Sequence, residues 1–171
     1  KQFWAHNAYG VGLLNLKQYK LATLSFNRAI DINPSYIDAY FNLGKAQREL
    51  GKPNDAIISY SKCIELDEKY ANAFNNRGTI FLEDLNDYEK SLENFQQFIK
   101  LSPNSFLGYS NIGSALYKLE RFDEAIKFYD RTIELKPDDI QAHLNRGVAL
   151  GKLKRYDEEI KSYDQIIILK P

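Results

Sequence analysis

The chain has 171 residues, 44% of them hydrophobic and 27% charged, a globular balance that excludes a disordered polymer. Lys plus Arg and Asp plus Glu are each 23, so no basic excess drives nucleic-acid binding, and no apolar run is long enough to insert in a bilayer. The single cysteine, Cys63, and the two histidines, His6 and His143, offer no disulfide and no metal-ligand spacing, so no cofactor is expected.

In chain order, apolar helical segments alternate with turn signals. A first unit, 3–36, carries Gly10, Ala22 and Phe26 and closes on "DINP" at Pro34. A second, 37–70, repeats the order with Gly44, Ala56 and Tyr60; helices are expected over Ile37–Leu50 and Asp55–Leu66, and the closing proline slot, near Glu68, is skipped. A third, 71–105, has Gly78, Ser91, Phe95 and Pro103 and is one residue longer. The spacing is regular on both sides, which puts the extra residue in the turn-forming stretch "EDLNDYE" between Gly78 and Ser91. A fourth, 106–139, has Gly113, Ala125, Tyr129 and Pro137; a fifth, 140–171, has Gly147, Tyr163 and Pro171. Each proline ends the helix before it, because it lacks an N–H and restricts its predecessor. Ser35, Asn104 and Asp138 then stand where they would cap the following helix.

A period of about 34 residues with Gly, small residue, aromatic and Pro at set offsets resembles the tetratricopeptide repeat (TPR), a helix–turn–helix unit. The match runs over nearly the whole chain as five units in register, read as a single array over 1–171. The resemblance implies an all-α, right-handed superhelical solenoid of antiparallel helix pairs, whose first helices line a concave groove. A mid-helix glycine costs about 1 kcal/mol against alanine. One in every unit makes sense where two helices approach closely, with the small residues of the second helix as expected partners. The chain begins at Lys1 and contains no Met, and it stops on a repeat-ending proline, so it is expected to be a piece of a longer one.

Some residues depart from the pattern. Glu159 occupies the small-residue slot of the fifth unit, where looser packing against Gly147 is expected. His6 and His143 share a slot with Tyr40, Phe74 and Tyr109, which favours packing over chemistry, and Cys63 reads as a small core residue. In "NNRG", Arg77 sits in a slot otherwise held by Tyr9, Leu43 and Ile112, yet Arg146 recurs there. An aliphatic stem in the core with its guanidinium paired at the rim is expected.

One face of each first helix is polar. In the second unit it holds Asp38, Asn42, Lys45 and Glu49; in the third Asn72, Asn76, Thr79 and Glu83. The fourth holds Leu107, Asn111, Ser114 and Lys118, and the fifth Gln141, Asn145, Val148 and Lys152. By the resemblance this is the groove. Asn42, Asn76, Asn111 and Asn145 would form an asparagine ladder whose amides can bond the main chain of an extended peptide. Alternatively, each asparagine bonds only to a neighbouring repeat. The expected peptide-binding residues are Asn42, Lys45, Asn76, Thr79, Asn111, Ser114 and Asn145. In the first unit the face is Trp4, Ala8, Val11 and Asn15, and Asn7 is off the slot by one residue.

The family's other peptide mode, a lysine clamp for acidic chaperone tails, does not fit. Its lysine slot, three before the glycine, holds Asn7, Phe41, Asn75, Ser110 and Leu144. Three functions remain open. The first is a non-catalytic scaffold binding an extended segment of another protein. The second is the substrate-recruiting array of a larger enzyme, such as one similar to the O-linked N-acetylglucosamine transferases. The third is an assembly module associating through Ile166, Ile167, Ile168 and Leu169. No nucleophile–base pair and no phosphate loop points to an enzyme within the chain.

Overall fold

A computed structural model describes residues 2–169, and among these the chain is ten α-helices and no strand. Two compact units divide it, Lys1–Leu85 and Asn86–Pro171. The first holds α1 (Phe3–Asn15), α2 (Tyr19–Ile32), α3 (Ile37–Glu49), α4 (Pro53–Leu66) and α5 (Ala71–Glu83). The second holds α6 (Tyr88–Leu101), α7 (Phe106–Lys118), α8 (Phe122–Leu135), α9 (Ile140–Lys152) and α10 (Tyr156–Leu169). Within each unit every helix packs on the next in sequence, and the first helices also meet across a repeat, α1 with α3 and α7 with α9. The expected terminal proline, Pro171, lies outside the described residues.

The turn inside four of the five helix pairs uses one backbone device. Lys17, Gly51, Glu120 and Lys154 are left-handed, with φ of 58°, 70°, 59° and 59°. The amide one residue later reaches back five residues, as from Gln18 to the Leu13 carbonyl and from Arg121 to that of Leu116, each at 2.9 Å. This closes the helix C-terminus and satisfies carbonyls that would otherwise be orphaned. The third pair is one residue longer, as expected: Asp84–Asp87 separate α5 from α6.

Three expectations are corrected. Caps fall one position later than read: Ser105 accepts from the Gly108 amide and Asp139 from that of Ala142, while Ser35 bonds to Asn33 instead. Proline and its successor form the turn, so the helix starts after the second residue. α4 starts at Pro53 rather than Asp55, because proline at the first helical position loses no hydrogen bond. The glycines, finally, do not receive the small residues. A Cβ on Gly44 would stand 2.8 Å from the Tyr60 ring, and one on Gly113 2.6 Å from that of Tyr129. Gly10 meets Phe26 and Gly147 meets Tyr163 in the same way. The flat ring, one turn beyond the small residue, fills the notch that the missing Cβ leaves.

Glu159 does not loosen that contact. It faces Gly151 instead, where a Cβ would stand 2.8 Å from its Oε1, and it accepts from the Tyr163 hydroxyl at 3.2 Å. Gly151 holds the position filled by Leu14, Arg48, Leu82 and Tyr117 in the other repeats, so the two sides trade volume.

The remaining departures are packing. His143 is buried, with Nε2 2.9 Å from the Pro137 carbonyl, the bond that Tyr109 makes to Pro103 in the preceding repeat. Cys63 is fully buried, and burial pushes its thiol up to about 12. Arg77 donates to the Ser61 hydroxyl at 2.9 Å, and Arg146 binds Asp130 at 2.5 Å and Ser162 at 2.7 Å, so both guanidiniums are held at the rim. At the end of α10, Ile166 is half-buried, while Ile167, Ile168 and Leu169 are exposed.

Candidate functional site

The site grows from the aromatic slot. A ring pressed under a first-helix glycine needs no hydroxyl to pack, as Phe26 shows. Where the residue is tyrosine, the hydroxyl extends past the glycine toward the face of the first helices. Tyr60 is 1% exposed, and its hydroxyl accepts from Asn76 Nδ2 of the next repeat at 3.3 Å. Around this pair α1, α3, α4 and α5 enclose a pocket of about 400 Å3, lined also by Leu14, Asn15, Lys45 and Arg48. Arg48 is fixed as part of the wall by Glu83 at 2.5 Å and Asp84 at 2.7 Å. Lys45 lies 5.9 Å from the centre of the Phe41 ring.

The second unit builds the same site in register. Tyr129 and Asn145 line a pocket of about 220 Å3 with Ser114, Tyr117, Lys118 and Val148. Tyr129 corresponds to Tyr60 and Asn145 to Asn76; Ser114 stands for Lys45 and Tyr117 for Arg48. Burial pushes both tyrosine hydroxyls up to about 12, opposed by hydrogen bonds from Asn76 and Ser114 respectively. Both therefore stay neutral near pH 7 and act as hydrogen-bonding groups, not bases.

The residues singled out in the sequence divide by environment. Lys45 and Asn76 come together in the first pocket, Ser114 and Asn145 in the second. Asn42 instead donates to Asn7 Oδ1 at 3.1 Å, and Asn7 donates to the Tyr36 hydroxyl at 3.4 Å. Asn7, off the slot in the sequence, is thus joined to the slot through Asn42. The Thr79 hydroxyl bonds back to the Asn75 carbonyl at 3.0 Å, and neither it nor Asn111 lines either pocket. Asn145 accepts from Gln141 at 2.7 Å. Tyr60, Tyr129, Arg48 and Tyr117 were not singled out. For Tyr60 and Tyr129 the signal was the hydroxyl in an aromatic core slot that Phe26 and Phe95 fill without one.

The pockets offer amides, hydroxyls and ammonium groups, and the first adds the Arg48 guanidinium and the Glu49 carboxylate. Among the described residues no group of three or more His, Cys, Asp or Glu is placed to hold a metal ion, and no helix is long and apolar enough to cross a membrane.

Comparison with known proteins gives a consistent picture. Models of the tetratricopeptide repeat match residues 37–70, 71–105 and 140–171, and a model described as TPR repeat matches 13–51 and 113–154. Hsp70-Hsp90 organizing protein 3 of Arabidopsis thaliana is 34% identical over 96 residues, 56% of this chain and 17% of that protein. Tetratricopeptide repeat protein 13 of Homo sapiens is 31% identical over 98 residues, 57% of this chain and 11% of that protein. UDP-N-acetylglucosamine--peptide N-acetylglucosaminyltransferase of Giardia intestinalis is 38% identical over 60 residues, 35% of this chain and 4% of that enzyme. The chain thus matches less than a fifth of each of these relatives. Among solved structures, MamA superposes with a TM-score of 0.89 at 24% identity, covering 94% of both chains. YrrB, described as a TPR protein with an unusual peptide-binding site, superposes with a TM-score of 0.82 at 19% identity, covering 97% of this chain and 85% of its own. At such identities these likenesses show the fold, an all-α solenoid of helix pairs.

Proposed function

The chain belongs to the tetratricopeptide repeat family, and from that premise we propose that it is a non-catalytic scaffold holding an extended segment of another protein along its first helices. The observation that carries this reading is the repetition of one polar pocket, tyrosine hydroxyl and asparagine amide together, at the same register in both units. A peptide main chain presents donors and acceptors at regular intervals, and repeated amides meet them without reading side chains. In this reading Asn76 and Asn145 contact the peptide in the two pockets, with Asn42 and Asn111 continuing the ladder. Lys45 and Ser114 decide what each pocket accepts beside the main chain, and Thr79 flanks the first of them.

The similarity to Hsp70-Hsp90 organizing proteins does not bring the chaperone-tail mode with it, because the lysine slot of that clamp is empty here. Peptides selected from a random library against the purified chain, then measured by fluorescence anisotropy, test both points. The expected result is at least about tenfold weaker binding to Asn76→Ala/Asn145→Ala, with amidation of the peptide C-terminus making no difference. Unchanged binding to the double variant would remove the ladder; strict dependence on a free C-terminal carboxylate would restore the clamp.

A second reading, a substrate-recruiting array attached to a glycosyltransferase, is supported by the 38% identity with the Giardia intestinalis enzyme. A catalytic domain in the coding sequence beside this segment decides it.

A further inference from the structure

The residue before a first helix differs between the two units. In the second unit it is Ser105 before α7 and Asp139 before α9, and each accepts a backbone amide of the helix it caps. In the first unit it is Tyr36 before α3 and Tyr70 before α5, and neither side chain makes a cap bond. Two caps are given up, and the tyrosines are turned to another use. The Tyr70 hydroxyl donates to Asp38 Oδ1, on the preceding first helix, at 3.3 Å. The Tyr36 hydroxyl accepts from Asn7, which itself accepts from Asn42, one turn beyond Asp38 on α3. Both rings are seated edge-on against phenylalanines, Tyr36 on Phe3 with centroids 4.9 Å apart and Tyr70 on Phe41 at 5.4 Å. Burial and then the Asp38 charge push the Tyr70 hydroxyl up to about 12, and the same two causes raise that of Tyr36 against the bond from Asn7. Asp38 therefore lies beside both hydroxyls, a carboxylate held in place on the face of the first helices.

That carboxylate is particular to one repeat. Its slot holds Trp4, Asn72, Leu107 and Gln141 in the others. It is exposed, and among the described residues no lysine or arginine is paired with it. In the second unit the acid nearest this register, Asp139, is taken up by its cap bond and by Lys136 at 3.3 Å. A carboxylate in a first turn suits the helix dipole, but that role calls for no hydroxyl from the next repeat. Resting on the reading of a segment held along the first helices, we propose that a lysine or arginine of that segment docks its charged end on Asp38, with the Tyr36 and Tyr70 oxygens and the Asn42 carbonyl oxygen as further acceptors. An ammonium or guanidinium brings several donors and no acceptor, which is what this group of oxygens matches. Lys45, on the wall of the first pocket, stands about two turns further along the same face, roughly 10 Å at the helical rise. About three residues of extended chain cover that distance, so one segment reaches both places.

The probes are peptides selected from a random library on the purified chain that lose binding to Asn76→Ala/Asn145→Ala. Each should carry a lysine or arginine whose change to glutamate weakens binding at least about tenfold. Asp38→Asn keeps an acceptor for Tyr70 and should weaken the parent peptide by about tenfold, while the glutamate-bearing peptide binds it no worse than the wild type, so the two losses do not add. Asp38→Lys should reverse the preference and bind the glutamate-bearing peptide more tightly than the wild type does. A circular dichroism melt separates lost binding from lost fold, and if Asp38→Asn melts early the reversal by Asp38→Lys decides alone. Peptides that need the asparagines but no basic residue, losses that add, or no reversal overturn this contact and leave the groove reading standing. Peptides indifferent to the asparagines overturn both.

Discussion

The Asn76 side chain donates to the Tyr60 hydroxyl at 3.3 Å, joining the first helix of one repeat to the second helix of the one before. The hydroxyl is a fixture of the core, since Tyr60 is buried, while the asparagine lines the pocket. A peptide contact and a structural contact therefore share one amide. Asn76→Ala should cost about 1–2 kcal/mol in chemical denaturation, because the buried hydroxyl loses a partner. Tyr60→Phe should cost less, and the double variant Asn76→Ala/Tyr60→Phe should recover about 1 kcal/mol of the summed loss. Strict additivity would mean the two groups do not interact in solution.

Gly44 and Gly12 make opposite predictions from the same chemistry. A Cβ at Gly44 meets the Tyr60 ring at 2.8 Å, so Gly44→Ala forces the ring or α3 to shift, costing about 1–3 kcal/mol. Gly12, on α1, has nothing within 4 Å of a Cβ, so Gly12→Ala should add about 0.5–1 kcal/mol through helix propensity. Thermal melts of the two variants should move in opposite directions.

Most of the architecture was legible because repetition multiplies weak signals. A single glycine in a helix says little, but Gly10, Gly44, Gly78, Gly113 and Gly147 in register fix where the first helices lie. The partner of those glycines was not legible, because a slot rule says that two elements approach without saying which side chain fills the gap. The pockets were half legible for a related reason. Periodicity placed Asn76 and Asn145 on one face, but Tyr60 and Tyr129 reach that face from behind, through the notch at a glycine that no helical wheel displays. The contrast between Arg146 and Leu43 was visible as letters, but only the structure shows the Arg146 guanidinium bridging Asp130 and Ser162.

The left-handed turns offer a route to stabilisation. Glu120 and Lys154 hold φ of 59°, where an L side chain is strained and glycine is not. Glu120→Gly and Lys154→Gly should each raise stability by about 0.5–1 kcal/mol, the relief of strain outweighing the added entropy of the unfolded chain. Gly51→Ala, at φ of 70°, should lower it by a similar amount. A fall in the urea midpoint for both glycine variants would show that the turns relax in solution.

High pH should expose the two tyrosine floors. Burial holds Tyr60 and Tyr129 up at about 12, against an ordinary value of 10.0. Their folded values are raised, so the stability they contribute is fully present below pH 10 and is lost as pH rises through 12. In that window the unfolded chain releases protons that the folded chain keeps. The loss is about 1–3 kcal/mol for each tyrosine, taking about 1.4 kcal/mol for each pH unit. Tyr60→Phe/Tyr129→Phe should flatten the decline in unfolding free energy between pH 10 and 12, and the folded wild-type chain should show late tyrosinate absorbance for these two groups. Ionisation near pH 10 in the folded chain would mean both hydroxyls are open to water.

Glu159 and Gly151 give the last prediction, an exchange of volume between facing helices. In the other repeats a small residue on the second helix, such as Ala125, goes with a large one on the first, such as Tyr117; here the large one is Glu159 and the small one Gly151. Gly151→Leu alone drives a side chain into the Glu159 carboxylate and should cost about 1–3 kcal/mol. Glu159→Ala alone opens a gap beside the glycine and leaves the Tyr163 hydroxyl without its acceptor, costing about 1–2 kcal/mol. Gly151→Leu/Glu159→Ala restores the arrangement of the other repeats, and it removes a glycine from the last turn of α9 besides. The double variant should therefore melt at or above the wild-type temperature, although each single change lowers it. Additive destabilisation would show that the carboxylate is held by something other than the space beside Gly151.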